Sequence, residues 1–449
     1  MIVRNLAAIL VMALVMAACA SAESQATAAP TTSAVSTTAA PTTAPTTTTP
    51  VTTLAPTTPS TTTTEPVAVV RTGAGVLVDS NFDVLDGKRV GLIAHQNSVV
   101  DGTHLSDILN NAANVELISL FGPEHGVRGT ADAGEYVDDA TDPNTGVTVF
   151  SLFGPTRQPT PEMLSGLDVL VYDLQDVGAR YYTYISTMGL AMQAAAAADI
   201  EFVVLDRPNP LGNQVGGGIL EPSRTSFVGQ YPIADVYGLT SAQLAIEIVE
   251  NDWLSGLDGL DLTTVDLVNW DSSMRWADTG LAWIPPSPAI TTPNTALLYP
   301  ATIYFEATTL SYGRGTEAPF EVIGAPWLDA DAAAAELTAR GLPGVDVIST
   351  SITPAMLPGM TVEPAYLGQT VPAIQLAVTD HSAIASTELG VHLLEVVFSQ
   401  ARSAGVDPLS RPDWLDQLSG STLLRRGIAE DTLTADEILA EQLRQRSEN

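Results

Sequence analysis

The sequence predicts an α/β protein built on a parallel sheet with helices on both faces. Three observations predict it. Short apolar runs alternate with helical stretches along residues 88–205. The runs are unbroken rather than alternating in polarity, as strands buried on both faces require. Four of them also end in polar loops, where parallel sheets place their ligands.

The elements follow in order. Residues 88–94 form the first strand and 105–111 a helix. Residues 115–121 are the second strand and 147–152 the third, and 161–164 begin a short helix. Residues 168–172 are the fourth strand, followed by an alanine-rich helix over 183–198 and a fifth strand over 201–205. Further on, 373–380 reads as a strand. Residues 386–401 form a helix with apolar positions at helical spacing, and 436–444 form a charged, amphipathic end helix.

The first 67 residues stand outside this pattern. Arg4 precedes an uncharged apolar run, 6–16, of signal-peptide length, which ends in Met16-Ala17-Ala18-Cys19. Cys19 is the chain's one cysteine and follows small residues, as in a bacterial lipoprotein box, where it would be lipidated. The competing reading is a plain secretory signal. Residues 20–67 hold 19 threonines and 7 prolines and few large apolar side chains, so they are expected to form an extended stalk. At ~3.1 Å per residue its upper reach is about 150 Å. The expected division is 1–19 signal peptide, 20–67 stalk, 68–300 catalytic domain and 301–449 C-terminal domain.

The formal charge of −33 comes from 51 acidic against 18 basic residues, of which only Lys88 is a lysine. That field repels phosphate backbones, so nucleic acid is excluded as a partner. An apolar fraction of 45% excludes general disorder. One cysteine and five scattered histidines offer no disulfide and no recognisable metal site. No phosphate-binding Gly-x-x-x-x-Gly-Lys and no Gly-x-Ser-x-Gly elbow is present. Gly73-Ala74-Gly75 lacks the third glycine of a dinucleotide fingerprint. No cofactor is implied.

The strand-end loops carry the chemistry. They are His95-Gln96-Asn97, then Gly122-Pro123-Glu124-His125-Gly126, then 173–182 from Asp173 through Asp176 and Arg180 to Tyr182, then Asp206-Arg207-Pro208-Asn209. A carboxyl such as Glu124, partly desolvated at a sheet mouth, suits a general acid. Paired carboxylates are what glycoside hydrolysis needs. Arg128, Arg180, Arg207 and Arg314 either hold a substrate carboxylate, such as that of a lactyl sugar ether, or pair with neighbouring aspartates. Tyr181, Tyr182 and Tyr184 either stack on sugar faces or pack the helix start. His381 and His392 read as ordinary structural residues.

These blocks resemble a known family. Phe121-Gly122-Pro123-Glu124-His125-Gly126-Val127-Arg128-Gly129, Ala133-Gly134-Glu135, the run 175–185 and Leu205-Asp206-Arg207-Pro208-Asn209-Pro210 are similar to the signature of the NamZ exo-β-N-acetylmuramidases. So are Ser226-Phe227-Val228-Gly229, Pro285-Pro286-Ser287-Pro288, Gly313-Arg314-Gly315-Thr316 and Gly324-Ala325-Pro326-Trp327. The similarity spans roughly 72–439. It implies a Rossmann-like domain without nucleotide, a smaller α+β C-terminal domain and a cleft between them. It further implies removal of N-acetylmuramic acid from the non-reducing ends of peptidoglycan fragments.

By the same resemblance, Glu124 and His125 are the catalytic candidates. Gln96, Asn97, Arg128, Asp176, Arg180, Tyr182, Asp206, Arg207, Asn209, Glu306 and Arg314 are expected to bind substrate. Asp176, Asp206, Glu306 or a substrate group remain open as the second catalytic group. The expected partners are muramyl sugars or muropeptides, and a membrane reached through a lipid on Cys19. The chain departs from the family pattern at His95, Tyr237, Ala289 and Thr309, which leaves a catalytically lapsed muropeptide binder as the alternative.

Overall fold

The computed structural model describes residues 69–129, 138–361 and 363–448. Cys19, the signal peptide, the stalk and the Ala133-Gly134-Glu135 block lie outside the described residues.

Arg89–Ala94 is the central strand of a seven-stranded sheet. On one side it pairs in parallel with Glu116–Gly122, which pairs with Thr148–Ser151. Ala140–Thr141 then joins antiparallel at the edge. On the other side it pairs with Val169–Asp173, then come Glu201–Leu205 and Leu262–Val265, all parallel. The chain thus builds one half-sheet outward, returns to the centre and builds the other. This is the doubly wound Rossmann order, with its switch point between Arg89–Ala94 and Val169–Asp173.

Side-chain alternation along the central strand feeds two cores. Val90, Leu92 and Ala94 face one with Leu105, Leu109 and Val171, whereas Ile93 faces the other with Phe121 and Tyr172. Gly91 leaves room for core side chains over the sheet, because a Cβ there would sit 2.5 Å from Leu167 Cδ1 and 2.9 Å from the Phe121 ring.

The helices Leu105–Asn111 and Tyr184–Ala198 fall where the sequence places them. Residues 161–164 do not form a helix. The chain makes one turn, with Leu164 N donating to Thr160 O, and Gly166 then turns left-handed at φ 85°. Three elements carry no strong signal of their own. They are the helix Gly73–Asp79, the strand Leu262–Val265 and an antiparallel pair, Val215–Ile219 with Ala234–Tyr237.

The remaining elements begin with the helix Pro293–Thr302, which Thr292 caps. A three-stranded antiparallel sheet follows, in the order Val322–Gly324, Val371–Val378, Val345–Ile352. The helices Ala330–Ala339 and Ser386–Ser403 pack together, and Ala330–Ala339 lies against the sheet. Ser386–Ser403 also lies against Pro293–Thr302. The two come close at Gly390, where a Cβ would meet Ala301 O at 2.8 Å. The Ile93 core continues without a break through Tyr299, Tyr304 and Phe305 to Leu389, Leu393 and Val397. The parallel sheet and the antiparallel sheet therefore share one hydrophobic interior, and both belong to one compact unit among the described residues.

Candidate active site

The Rossmann switch point is filled by the protein itself. His95 is fully buried there, and its Nε2 accepts from the backbone N–H of Gln175, 2.8 Å away. Burial holds the imidazole well below its ordinary pKa, with the Arg207 charge adding to the effect, so it is neutral. Gln96 and Asn97 donate their side-chain amides to the carbonyls of Pro285 and Ile284. These bonds tie the 284–285 segment to the loop that follows the central strand.

The open cavity lies farther out, between the strand-end loops and the elements that follow residue 290. It encloses about 670 Å³. Glu124 enters it from a tight turn in which Gly126 N donates to Pro123 O at 2.8 Å and His125 is left-handed, φ 73°. A positive φ at the third turn position is the type II pattern and usually falls to glycine. A buried histidine there marks a locally strained site.

Thr183 precedes the helix Tyr184–Ala198 but makes no side-chain cap for it. Its hydroxyl donates instead to Glu124 Oε2 at 2.9 Å, which sets the carboxylate beside a helix N-terminus. Tyr184 OH donates to Pro286 O at 2.9 Å and reaches the Glu124 carbonyl at 3.3 Å. Burial, reinforced by the Glu124 charge, pushes the Tyr184 hydroxyl well above its usual pKa.

Glu306 and Arg314 form the opposite wall. Arg314 Nη2 lies 3.5 Å from Glu306 Oε1, and Trp414 Nε1 donates to Glu306 Oε2 at 3.3 Å. Between the walls runs a chain of rings. Tyr182 packs edge-on against Tyr184 at 4.9 Å and against Tyr299 at 6.0 Å. Tyr299 meets Phe320 at 4.9 Å, and Phe320 meets Tyr312 at 5.5 Å. The Tyr299 hydroxyl is pushed far up by burial, and the charges of Glu306 and Glu124 both add to that rise.

Of the residues expected from sequence, the cavity brings together Glu124, His125, Tyr182, Glu306 and Arg314. The others lie elsewhere, and each has a structural reason. Gln96 and Asn97 tie down the 284–285 segment, as above. Arg128 is held between Asp107 and Asp142 at 2.7 and 2.9 Å. Arg180 and Asp235 form an ion pair with no exposed side-chain surface. Arg207 pairs with Asp173 at 2.6 Å, also buried. Asp206 accepts from Thr240 Oγ1 and Ala242 N at the start of the helix Ser241–Glu250, and burial pushes it up to about 6. Asn209 shapes its own loop through Leu211 N and Leu239 O. Asp176 accepts from Tyr237 OH and Gly178 N, and burial pushes it up to about 7.

For Arg128, Arg180 and Arg207 the aspartate-pairing alternative holds. Of the four expected arginines only Arg314 reaches the cavity. Sequence reasoning missed Arg157 and Arg411, which line it, and assigned no part to Thr183, Tyr299 or Trp414. The positions that depart from the family pattern, His95, Tyr237, Ala289 and Thr309, are all off the cavity wall.

Among the described residues, two carboxylates, Glu124 and Glu306, line one aromatic-walled cleft at the rim of a Rossmann-type sheet, and they define the class: a glycoside hydrolase. The family model described as exo-beta-N-acetylmuramidase NamZ, N-terminal, matches residues 90–294, and its C-terminal counterpart matches 297–448. The chain is 40% identical over 355 residues to the peptidoglycan beta-N-acetylmuramidase NamZ of Bacillus subtilis (strain 168). That match covers 77% of this chain and 83% of the relative. Two solved structures from Bacteroides fragilis NCTC 9343, both described as DUF1343 family proteins, share the fold. One has a TM-score of 0.73 at 35% identity, covering 84% of this chain and 99% of that one. The other has 0.68 at 30%, covering 84% and 95%. The chain belongs to the NamZ exo-β-N-acetylmuramidase family.

Proposed function

We propose that this protein removes N-acetylmuramic acid from the non-reducing ends of peptidoglycan fragments, with Glu124 as general acid. The observation that carries the assignment is Glu124 itself. It projects into the cavity from a tight turn whose next residue, His125, is left-handed, with Thr183 Oγ1 fixing one carboxylate oxygen. A proton held there can pass to the departing glycosidic oxygen as the bond breaks. Glu306, oriented by Arg314 and Trp414, also lines the cleft and is the carboxylate that acts from across the sugar ring. The tyrosines supply flat faces for the sugar and a dry wall around the reacting bond.

The test is Glu124→Gln, assayed on a chromogenic N-acetylmuramide. Turnover is expected to fall at least ~100-fold, the usual scale of general acid catalysis, with unchanged unfolding behaviour. Full activity in that variant would remove Glu124 from the role. A catalytically lapsed binder is the weaker reading, because both carboxylates and their hydrogen-bond partners are in place.

We further propose that the protein works outside the cytoplasm, lipidated at Cys19 and set off from the membrane by its Thr/Pro-rich segment. Cys19→Ala is expected to move it from the membrane fraction to the soluble one. Continued membrane fractionation would contradict the anchor.

A further inference from the structure

Cations are scarce in this chain, and most of the described arginines are spent on aspartates and glutamates. Arg157 and Arg411 are exceptions. Both line the cavity, and both are exposed. Among the described residues neither has a carboxylate within ion-pair distance. Each rests instead on an aromatic ring. The Arg157 guanidinium lies 4.1 Å from the Phe227 centroid and 5.4 Å from that of Phe153. The Arg411 guanidinium lies 4.9 Å from the Trp414 ring. Stacking engages the face of a guanidinium and leaves its in-plane N–H donors for a ligand. Two pre-positioned forks with unspent donors suit planar carboxylates.

Their position decides which carboxylates. Arg314 is the inner cation: it is largely buried, pairs with Glu306 and feels the charge of Glu124. Arg157 and Arg411 stand at the exposed rim. An enzyme that removes a terminal sugar holds that sugar at the catalytic carboxylate, and the rest of the chain leaves through the mouth. We propose that Arg157 and Arg411 are receptors for carboxylates on the part of the substrate that is left behind. They would make the enzyme prefer anionic leaving chains to neutral ones. The inference rests on the muramidase reading above. The carboxylate can come from the lactyl group of a second muramyl residue or from a peptide stem.

The experiment compares wild type with Arg157→Gln, Arg411→Gln and the double variant, and Arg426→Gln serves as an exposed arginine that does not line the cavity. Four fragments are used, all ending in the same N-acetylmuramyl-N-acetylglucosamine unit. One is that disaccharide alone. One carries a second muramyl residue with a free lactyl carboxylate, one carries the same residue as a methylamide, and one carries a peptide stem there. Wild type and Arg426→Gln are expected to favour at least one carboxylated fragment over the methylamide by about tenfold or more in kcat/KM, the order of a charged hydrogen bond. The lactyl and peptide arms show which source is read.

In the double variant the ratio falls toward one. Arg157→Lys keeps the charge and retains part of the preference. Binding of the same fragments is read by calorimetry in a Glu124→Gln background. Absence of turnover would then count against hydrolysis, and the affinity ratio would still decide the receptor. An unchanged ratio in the folded double variant, or no preference in wild type, overturns the proposal.

Discussion

Replacing Arg180 by methionine is expected to cripple stability rather than substrate binding. Arg180 Nη2 lies 2.5 Å from Asp235 Oδ1 and also donates to Leu418 O at 2.9 Å, and neither side chain of the ion pair is exposed. Asp235 accepts further from Tyr304 OH at 2.8 Å and Gly218 N at 3.2 Å. Burial already pushes the Asp235 carboxyl above its ordinary range, and the Arg180 charge opposes that rise. Without Arg180, a buried carboxylate loses its counter-charge and the Leu418 carbonyl loses a donor. Breaking such a pair from one side costs about 3–5 kcal/mol, a large part of the roughly 5–15 kcal/mol that holds native proteins folded.

The assay is urea unfolding followed by tryptophan fluorescence, with KM measured on the protein that remains folded. The midpoint is expected to fall sharply while KM changes little. Adding Asp235→Asn removes the stranded charge but keeps an acceptor for Tyr304 and Gly218, so the double variant should recover part of the loss. A stable Arg180→Met protein with a tenfold higher KM would refute this reasoning and return Arg180 to the substrate.

Three further outcomes are expected. Asp176 is held at about 7 when folded against an ordinary value of 3.8. Its contribution to stability is therefore full below about pH 4 and is lost as pH rises to about 7, at up to ~1.4 kcal/mol per pH unit. Asp176→Asn should flatten that slope in urea titrations, and an identical slope would contradict the shift. Gly390→Ala should cost about 1–3 kcal/mol by forcing a methyl against the Ala301 backbone, read as a lowered unfolding midpoint. Thr183→Val should lower kcat about fivefold to tenfold with little change in midpoint, because it removes one hydrogen bond to Glu124 and no packing volume.

The parallel strands were legible because burial on both faces leaves an unbroken apolar run, and 89–94, 116–122 and 201–205 lie within a residue or two of where the pattern puts them. Leu262–Val265 was not, because Thr263 and Thr264 sit half-exposed at the sheet edge and break the run. The site was legible where chemistry and loop coincided, as at Glu124. It stayed open at Arg128, Arg180 and Arg207, where a substrate carboxylate and an aspartate were both candidate partners. Sequence spacing cannot tell an arginine aimed at solvent from one folded back onto Asp235, fifty-five positions on. Arg157 and Arg411 escaped notice for the converse reason. What marks them is the ring beneath each, and Phe227 and Arg157 meet only in three dimensions.

The unbroken interior beneath both walls of the cleft has a mechanical consequence. A hinge between the two sheets would have to tear apart side chains running from Ile93 to Val397. Opening and closing during turnover therefore falls to rim loops and side-chain rotamers. Small-angle scattering should give one radius of gyration with and without bound sugar. The released monosaccharide must also wait behind the shortened chain, so that free N-acetylmuramic acid, last to leave, should inhibit competitively.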